Sequence, residues 1–356
     1  MTRADGRENV DLPPAGGDLL CIERIESMLS ARALPILSTI PRSGTWFLRY
    51  AISFLRHLES GGRIDDRLTG RVVGDPAGPR FDFSRFKGGP LFAVEEILPA
   101  EHLFIGHTVC PGFANLARNF AWWPQTNFHV RGYDYFHEGL NYRYTPVELA
   151  PYDYVTVRVS AVERAAARGR GAPIALVYRN PLDQAASYFR YGQEHKDPAY
   201  NQLDGVPLAA VPFRDYLLRA ALPSYARQFV SFQALAEMYP HQVRLFSYER
   251  LMADRVGTMG EILAHLAGAR RDWSFLEDAV FLSRRGNMRA IEKAIGHSLD
   301  GTRSGAGSHM RPAIAHRSES DPDHRLRDEA VALLEAMGVH TGLFDWAIPA
   351  PAANAA

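Results

Sequence analysis

Leu34-Pro35-Ile36-Leu37-Ser38-Thr39-Ile40-Pro41-Arg42-Ser43-Gly44-Thr45-Trp46-Phe47-Leu48 decides the fold of this chain. Its first seven residues make a short apolar run, the pattern of a buried strand. Pro41 ends the run, and Gly44 lets the backbone bend around a ligand without a Cβ clash. From Thr45 to His57, Phe47, Leu48, Ala51, Ile52 and Leu55 recur at helical spacing. A strand that turns directly into a helix exposes backbone N–H groups at the positive end of the helix dipole, which suits an anion. Arg42, Ser43 and Thr45 sit at that junction. The loop lacks the G-x-x-x-x-G-K-[ST] pattern, so it is not a Walker A loop.

A second junction has the same construction. Pro173-Ile174-Ala175-Leu176-Val177-Tyr178 is another compact apolar run, followed by Arg179-Asn180-Pro181-Leu182-Asp183. Asn180 suits the N-cap, Pro181 the first helical position, and Asp183 the first turn, where a carboxylate is favoured. Arg179 emerges at the strand's end, and Ser187 falls about two turns into the helix. Two such junctions, each with an arginine and a hydroxyl, suggest a ligand with phosphates at both ends.

Together these residues resemble the sulfotransferases that use 3′-phosphoadenosine 5′-phosphosulfate (PAPS). The family's first motif reads Pro-Lys/Arg-Ser-Gly-Thr-Thr-Trp, against Pro41-Arg42-Ser43-Gly44-Thr45-Trp46-Phe47 here. Its second is an arginine followed eight residues later by a serine, the spacing of Arg179 and Ser187. The resemblance implies a P-loop-like sulfotransferase fold, with Arg42 to Trp46 around the 5′-phosphosulfate and Arg179 and Ser187 on the 3′-phosphate. Either Trp46 or Phe47 would stack on the adenine, or both are core residues of their helix. Val243 to Leu251 resembles the family's strand ending in Tyr-Glu-x-Leu, which adds Tyr248 to the cofactor set. Phe281 to Glu292 resembles the helix before its last cofactor loop. Gly301 to Gly307 resembles the loop Arg-Lys-Gly-x-x-Gly-x-Trp, with Arg303, Ser304 and Gly305 as a second hold on the 3′-phosphate. Ser304 replaces the lysine there and the tryptophan is missing; Arg311 would supply the absent charge.

Sulfuryl transfer demands in-line geometry, stabilisation of spreading negative charge and a base for the acceptor. Arg42 stands where many relatives have lysine and would stabilise the leaving phosphate electrostatically. Glu101 to Thr108 reads as a strand ending at His107, where the resemblance places the catalytic base, although Ile105 and Gly106 depart from the usual Lys-Thr-His. An imidazole near neutrality takes a proton from a hydroxyl as the sulfuryl group arrives. His102 and the pair Glu95/Glu96 are the reserve candidates among the chain's 13 histidines and its carboxylates.

Strand-like runs near 34–40, 102–107, 173–178 and 242–248 alternate with helical segments. That is the pattern of an α/β fold with a parallel central sheet flanked by helices. The motifs spread from Arg42 to Gly305 across 356 residues, and one cofactor site needs them all, so residues 18–348 are expected to form a single domain. Residues 1–17 and 349–356, rich in Pro, Gly or Ala, are expected to be disordered tails. Forty basic and forty acidic residues cancel, so bulk charge points neither to nucleic acid nor to a membrane surface. Cys21 and Cys110 are too few for a disulfide framework and have no metal-site neighbours. No signal peptide or apolar span is evident, so the expected location is cytoplasmic.

Between Gly112 and Arg158 the rings Phe113, Phe120, Trp122, Trp123, Phe128 and Tyr133 open an aromatic-rich stretch with no clear period. It suits a small-molecule acceptor. Rings that do not serve the acceptor would be core or dimer contacts, which admits a homodimer. Tyr191 to Val211 reads as a mobile loop. The expectation is therefore sulfuryl transfer from PAPS to an alcohol or phenol of a small molecule, such as a secondary metabolite, leaving 3′-phosphoadenosine 5′-phosphate (PAP). A carbohydrate acceptor is the close alternative, and a non-catalytic nucleotide-binding protein on the same fold is another. A kinase would need Mg²⁺ ligands and a Walker lysine, neither of which is evident; no metal is expected.

Overall fold

The strand that precedes Pro41 is β1, Ile36–Thr39, and it is central to the sheet. The computed structural model describes residues 29–31, 35–83, 93–98, 101–109, 154–156, 159–169, 171–194, 202–203, 205–267, 273–296 and 325–346. After β1 come α1 (Thr45–Glu59), a hairpin of β2 (Arg63–Asp65) and β3 (Val72–Gly74), then β4 (Ala93–Leu98), β5 (Glu101–Val109) and β6 (Tyr154–Thr156). Next are α2 (Val159–Ala167), β7 (Ile174–Tyr178), α3 (Pro181–Glu194) and a hairpin of β8 (Gln202–Leu203) and β9 (Val206–Pro207). The chain continues through α4 (Phe213–Tyr216), a π-helical turn (Leu217–Ala221), α5 (Leu222–Met238) and β10 (Val243–Ser247). The remaining helices are α6 (Tyr248–Ala253), α7 (Arg255–Ala267), α8 (Leu276–Leu282), α9 (Arg285–Ile295) and α10 (Arg325–Ala336).

The main sheet runs β10-β7-β1-β5-β4, with β6 also paired to β5. Strands β10, β7, β1 and β5 are mutually parallel, while β4 joins β5 antiparallel as a hairpin arm. Their sequences explain the two-sided burial. Ile174, Leu176 and Tyr178 face one core with Ile36, Phe104, Val243 and α5; Ala175 and Val177 face the other with Leu37, Ile105, Phe246, α1 and α7. A strand alternates its side chains between faces, so helices on both sides require continuous apolar runs. The α/β fold with a parallel sheet flanked by helices is thus observed.

Strand order positions the site. From β1 the chain reaches its next parallel strand, β5, on one side; from β7 it reaches β10 on the other. The carboxyl ends of β1 and β7 therefore flank a topological switch point, where sheets of this kind leave a crevice for ligands.

Several local expectations change. Strand β5 runs two residues beyond His107, and Tyr191–Val211 contains the end of α3, the β8–β9 hairpin and a 3₁₀ turn at Leu208–Ala210. The stretch Phe281 to Glu292 is not one helix: α8 ends at Leu282, and α9 starts at Arg285 with Arg284 as its N-cap. Strand β10 ends at Ser247, whose hydroxyl caps α6, so Tyr248 opens a helix rather than ending a strand. The aromatic stretch 113–153, both expected tails and the loop with Arg303, Ser304 and Gly305 lie outside the described residues. Among the described residues, no helix is long and apolar enough to cross a membrane, and no cluster of acidic, histidine and cysteine side chains could hold a metal ion.

Candidate functional site

Strand β1 is followed by a tight loop whose backbone alternates in hand. Arg42 has φ of 71° and Gly44 of 89°, and Arg42 is the one non-glycine residue among those described with positive φ. Alternation between right- and left-handed residues turns successive N–H groups toward one concavity, a form that holds anions. A left-handed arginine carries a strain of about 1–3 kcal/mol, which the surrounding contacts must hold in place. Those contacts are visible: Ser43 N–H donates to Ile40 O (3.0 Å), Gln184 Nε2 to Pro41 O (3.1 Å) and Arg179 Nη1 to Arg42 O (3.3 Å).

Gly44 is the N-cap of α1 and has no side chain to satisfy the helix's first N–H groups. It also has no room for one. A Cβ there would lie 3.0 Å from Cε2 of Tyr248, so the ring of Tyr248 closes directly over the glycine. The same ring carries the guanidinium of Arg179, with Cζ 4.9 Å from the centroid, within cation–π range. Ser43 is fully buried, and its hydroxyl has no hydrogen-bond partner among the described residues; nor does Arg179 Nε. Buried polar groups left in that state imply a ligand or water as the missing partner.

The second junction matches its expected capping chemistry. Asn180 Oδ1 accepts from Leu182 N–H (3.0 Å) and Asp183 N–H (3.4 Å), and Pro181 begins α3. Ser187, two turns on, accepts from Arg42 Nε at 3.1 Å. The guanidinium of Arg42 also lies 5.2 Å from the ring centroid of Tyr191, one further turn along α3. The two motifs thus meet physically: Arg42, Arg179, Ser187 and Tyr248 surround the same loop. Thr45 Oγ1 lies 2.7 Å from Thr39 Oγ1. Trp46, in the first turn of α1, is buried in the core 6.1 Å from the ring of Tyr50, whereas Phe47 is half-buried against the same core.

His107 reaches the site through Thr39. Its Nδ1 lies 2.7 Å from Thr39 O and 3.0 Å from Thr39 Oγ1. A carbonyl only accepts, so the proton sits on Nδ1 and the ring's lone pair on Nε2. The residue is 5 % exposed, and burial pulls its pKa down to about 4, against a smaller opposing pull from the bond to Thr39. The imidazole is therefore neutral at physiological pH. An unfolded chain with a histidine near 6.5 binds more protons below that pH than the folded one does. Stability is then complete above pH 6.5 and falls as pH drops toward 4, by on the order of 3 kcal/mol for this group alone. Urea titrations at pH 7 and pH 4.5 are expected to show a larger loss for the wild type than for His107→Asn, whose amide still donates to Thr39 O; equal losses would disprove the burial effect.

Sequence reading missed several supports. Glu249 Oε1 accepts from Asn180 N–H (2.9 Å) while its Oε2 accepts from Ser247 Oγ (3.0 Å), tying α6 to the start of α3. Tyr225 donates its hydroxyl to Arg179 O (2.8 Å), and it follows the π turn that precedes Pro223, a residue with no N–H for the helix ladder. Of the reserve bases, Glu95 and Glu96 lie in β4 and His102 in β5; the register opposes Glu96 to His102 and Glu95 to Leu103, away from Thr39.

No protein-family model matches the chain, and no curated protein matches it. Among solved structures it is similar to the crystal structure of mouse sulfotransferase SULT7A1 complexed with PAP. The match has 15 % sequence identity and a TM-score of 0.41, covering 88 % of this chain and 93 % of that one.

Proposed function

We propose that this chain is a sulfotransferase that moves a sulfuryl group from PAPS to a hydroxyl of a small-molecule acceptor, an alcohol or a phenol. The observation that carries the reading is the 3.1 Å bond from Arg42 Nε to Ser187 Oγ at the switch point, which joins two motifs far apart in sequence into one anion site. The residues fit such a donor: the N–H groups of Gly44, Thr45 and Trp46 at the start of α1 around the 5′ end, the buried Ser43 hydroxyl beside them, and Arg179 and Ser187 on the 3′-phosphate. Tyr248, packed on Gly44 and Arg179, would border the nucleotide, and Phe47 or Trp46 the adenine. The donor supplies an activated sulfuryl group. Arg42 holds positive charge where negative charge builds, and His107, with its proton fixed on Nδ1, presents Nε2 as the base. Arg303, Ser304 and Gly305 remain part of the proposed hold on the 3′-phosphate. The reading takes residues 18–348 as one domain, places the enzyme in the cytoplasm, needs no metal, nucleic acid or membrane, and admits a homodimer.

One observation favours a second reading. The depth of His107 and its depressed proton affinity suit a structural histidine as well as a base, and would fit a nucleotide-binding protein without catalysis.

A thermal-shift titration with PAP, run beside ATP and 5′-AMP, tests the shared part of both readings. A ligand that binds only the folded state raises the melting temperature by mass action, here by about 4 °C at a hundredfold excess over Kd. The shift is expected to be much larger with PAP than with 5′-AMP. An equal response to ATP would remove the 3′-phosphate from the assignment.

A further inference from the structure

Arg179 is gripped through its neighbours by a short segment far along the chain. Tyr178 donates its hydroxyl to Leu343 O (3.0 Å), and Asn180 Nδ2 donates to Asp345 O (2.9 Å). Residues on both sides of the arginine are therefore bonded to one strap, Thr341–Trp346. The strap is closed on itself by Trp346 Nε1 donating to Thr341 O (2.8 Å). Phe344 anchors it, with its ring centroid 5.6 Å from Tyr178, 5.8 Å from Tyr225 and 5.3 Å from Phe229. Tyr225 in turn holds the carbonyl of Arg179 itself.

We infer that this strap sets the position of Arg179, and that Tyr178 and Asn180 are positioning residues for the anion Arg179 would hold; this rests on the nucleotide-binding reading above. Packing alone would account for Phe344, which is a buried ring among rings. It does not account for two directional bonds from the residues that flank the arginine. Asn180 is the more telling of the pair because it works with both ends: Oδ1 caps α3 while Nδ2 holds the strap. Burial, with the Glu249 carboxylate nearby, pushes the Tyr178 phenol up to about 12, so it remains a donor across the working pH range. With its backbone held on three sides and its guanidinium already against Arg42 O and the face of Tyr248, Arg179 loses less freedom on meeting an anion, which lowers the entropic cost of ligand binding.

The double variant Tyr178→Phe/Asn180→Ser removes both donors but keeps the aromatic ring and a competent N-cap. Two readouts are needed. In the ligand-free protein, exchange of the Asn180 and Gln184 backbone amides is followed, because their acceptors (Glu249 Oε1 and the carbonyl of residue 180) are untouched. In parallel, PAP is titrated calorimetrically. Expected results are about tenfold faster exchange at these two amides and about tenfold weaker PAP binding, with the melting temperature lowered by about 3 °C or less. Unchanged PAP affinity overturns the inference, and so does exchange that accelerates uniformly through the sheet, since that marks a general loss of stability. Failure of the wild type to bind PAP would defeat the functional reading instead, and the exchange comparison would then decide the strap by itself.

Discussion

Replacing His107 with alanine is expected to lower kcat for sulfuryl transfer by about two to four powers of ten while PAP affinity stays within about twofold. The size follows from the general contribution of a positioned base. The separation of effects follows from the contacts: His107 bonds to Thr39, whereas the proposed hold on the phosphates is built from Arg42, Arg179 and Ser187, which bond among themselves. Alanine also leaves a cavity in a buried strand, so a loss of activity by this variant alone would be ambiguous. His107→Asn resolves it. The asparagine amide takes the place of Nδ1–H against Thr39 O, preserving the strand, but offers no basic nitrogen. Both variants are expected to lose turnover equally, and only the alanine to lose stability. A neutral imidazole with its pKa near 4 gains a proton only as negative charge accumulates beside it, so the rate should depend little on pH between 6 and 8. Retained turnover in His107→Asn would assign the base elsewhere. A wild type that binds PAP but turns over no acceptor would favour the binding-protein reading.

How much of this site was legible depended on whether the signal was local. Ile36–Thr39 and Ile174–Tyr178 are buried along their whole length because both faces of each strand are covered, and such mainly apolar runs announce a parallel sheet, whereas the edge strand Val243–Ser247 leaves Arg244 exposed. The cap at Asn180 was legible for a similar reason, since Asn-Pro-x-Asp contains all the residues that satisfy the helix start. Tyr191 could have been found: it stands four residues after Ser187, on the same face of α3, where helix geometry brings it to whatever Ser187 touches. The left-handed φ of Arg42 had no such signal, because nothing in the residue type favours it and contacts that hold the loop, such as those from Gln184 and Arg179, come from far along the chain. Depth was equally hidden at His107. Motif order places it in the chain, but its burial comes from the tertiary packing around β5, an inner strand of the sheet. Glu249, Tyr225 and the strap were invisible because each acts through contacts dozens of residues or more away.

The Arg179→Ala variant is expected to bind PAP about a hundredfold more weakly or worse, with no change in its response to 5′-AMP. Removing one member of a buried, charge-assisted contact costs about 2–5 kcal/mol, much of it because the remaining charge is left unpaired. The contrast with 5′-AMP is the informative half, since that nucleotide lacks the 3′-phosphate that Arg179 and Ser187 would hold. Arg179→Lys should recover only part of the loss. Lysine retains the charge, but a single ammonium cannot donate to Arg42 O, lie flat on Tyr248 and meet a phosphate with two parallel N–H groups. Calorimetry on the wild type and both variants gives the order wild type, lysine, alanine if the guanidinium fork is what matters. Equal weakening toward both nucleotides would mean that Arg179 supports the loop through the Arg42 carbonyl rather than gripping a ligand. The 3′-phosphate would then have to be held by Arg42 itself, which already reaches Ser187 from the other junction.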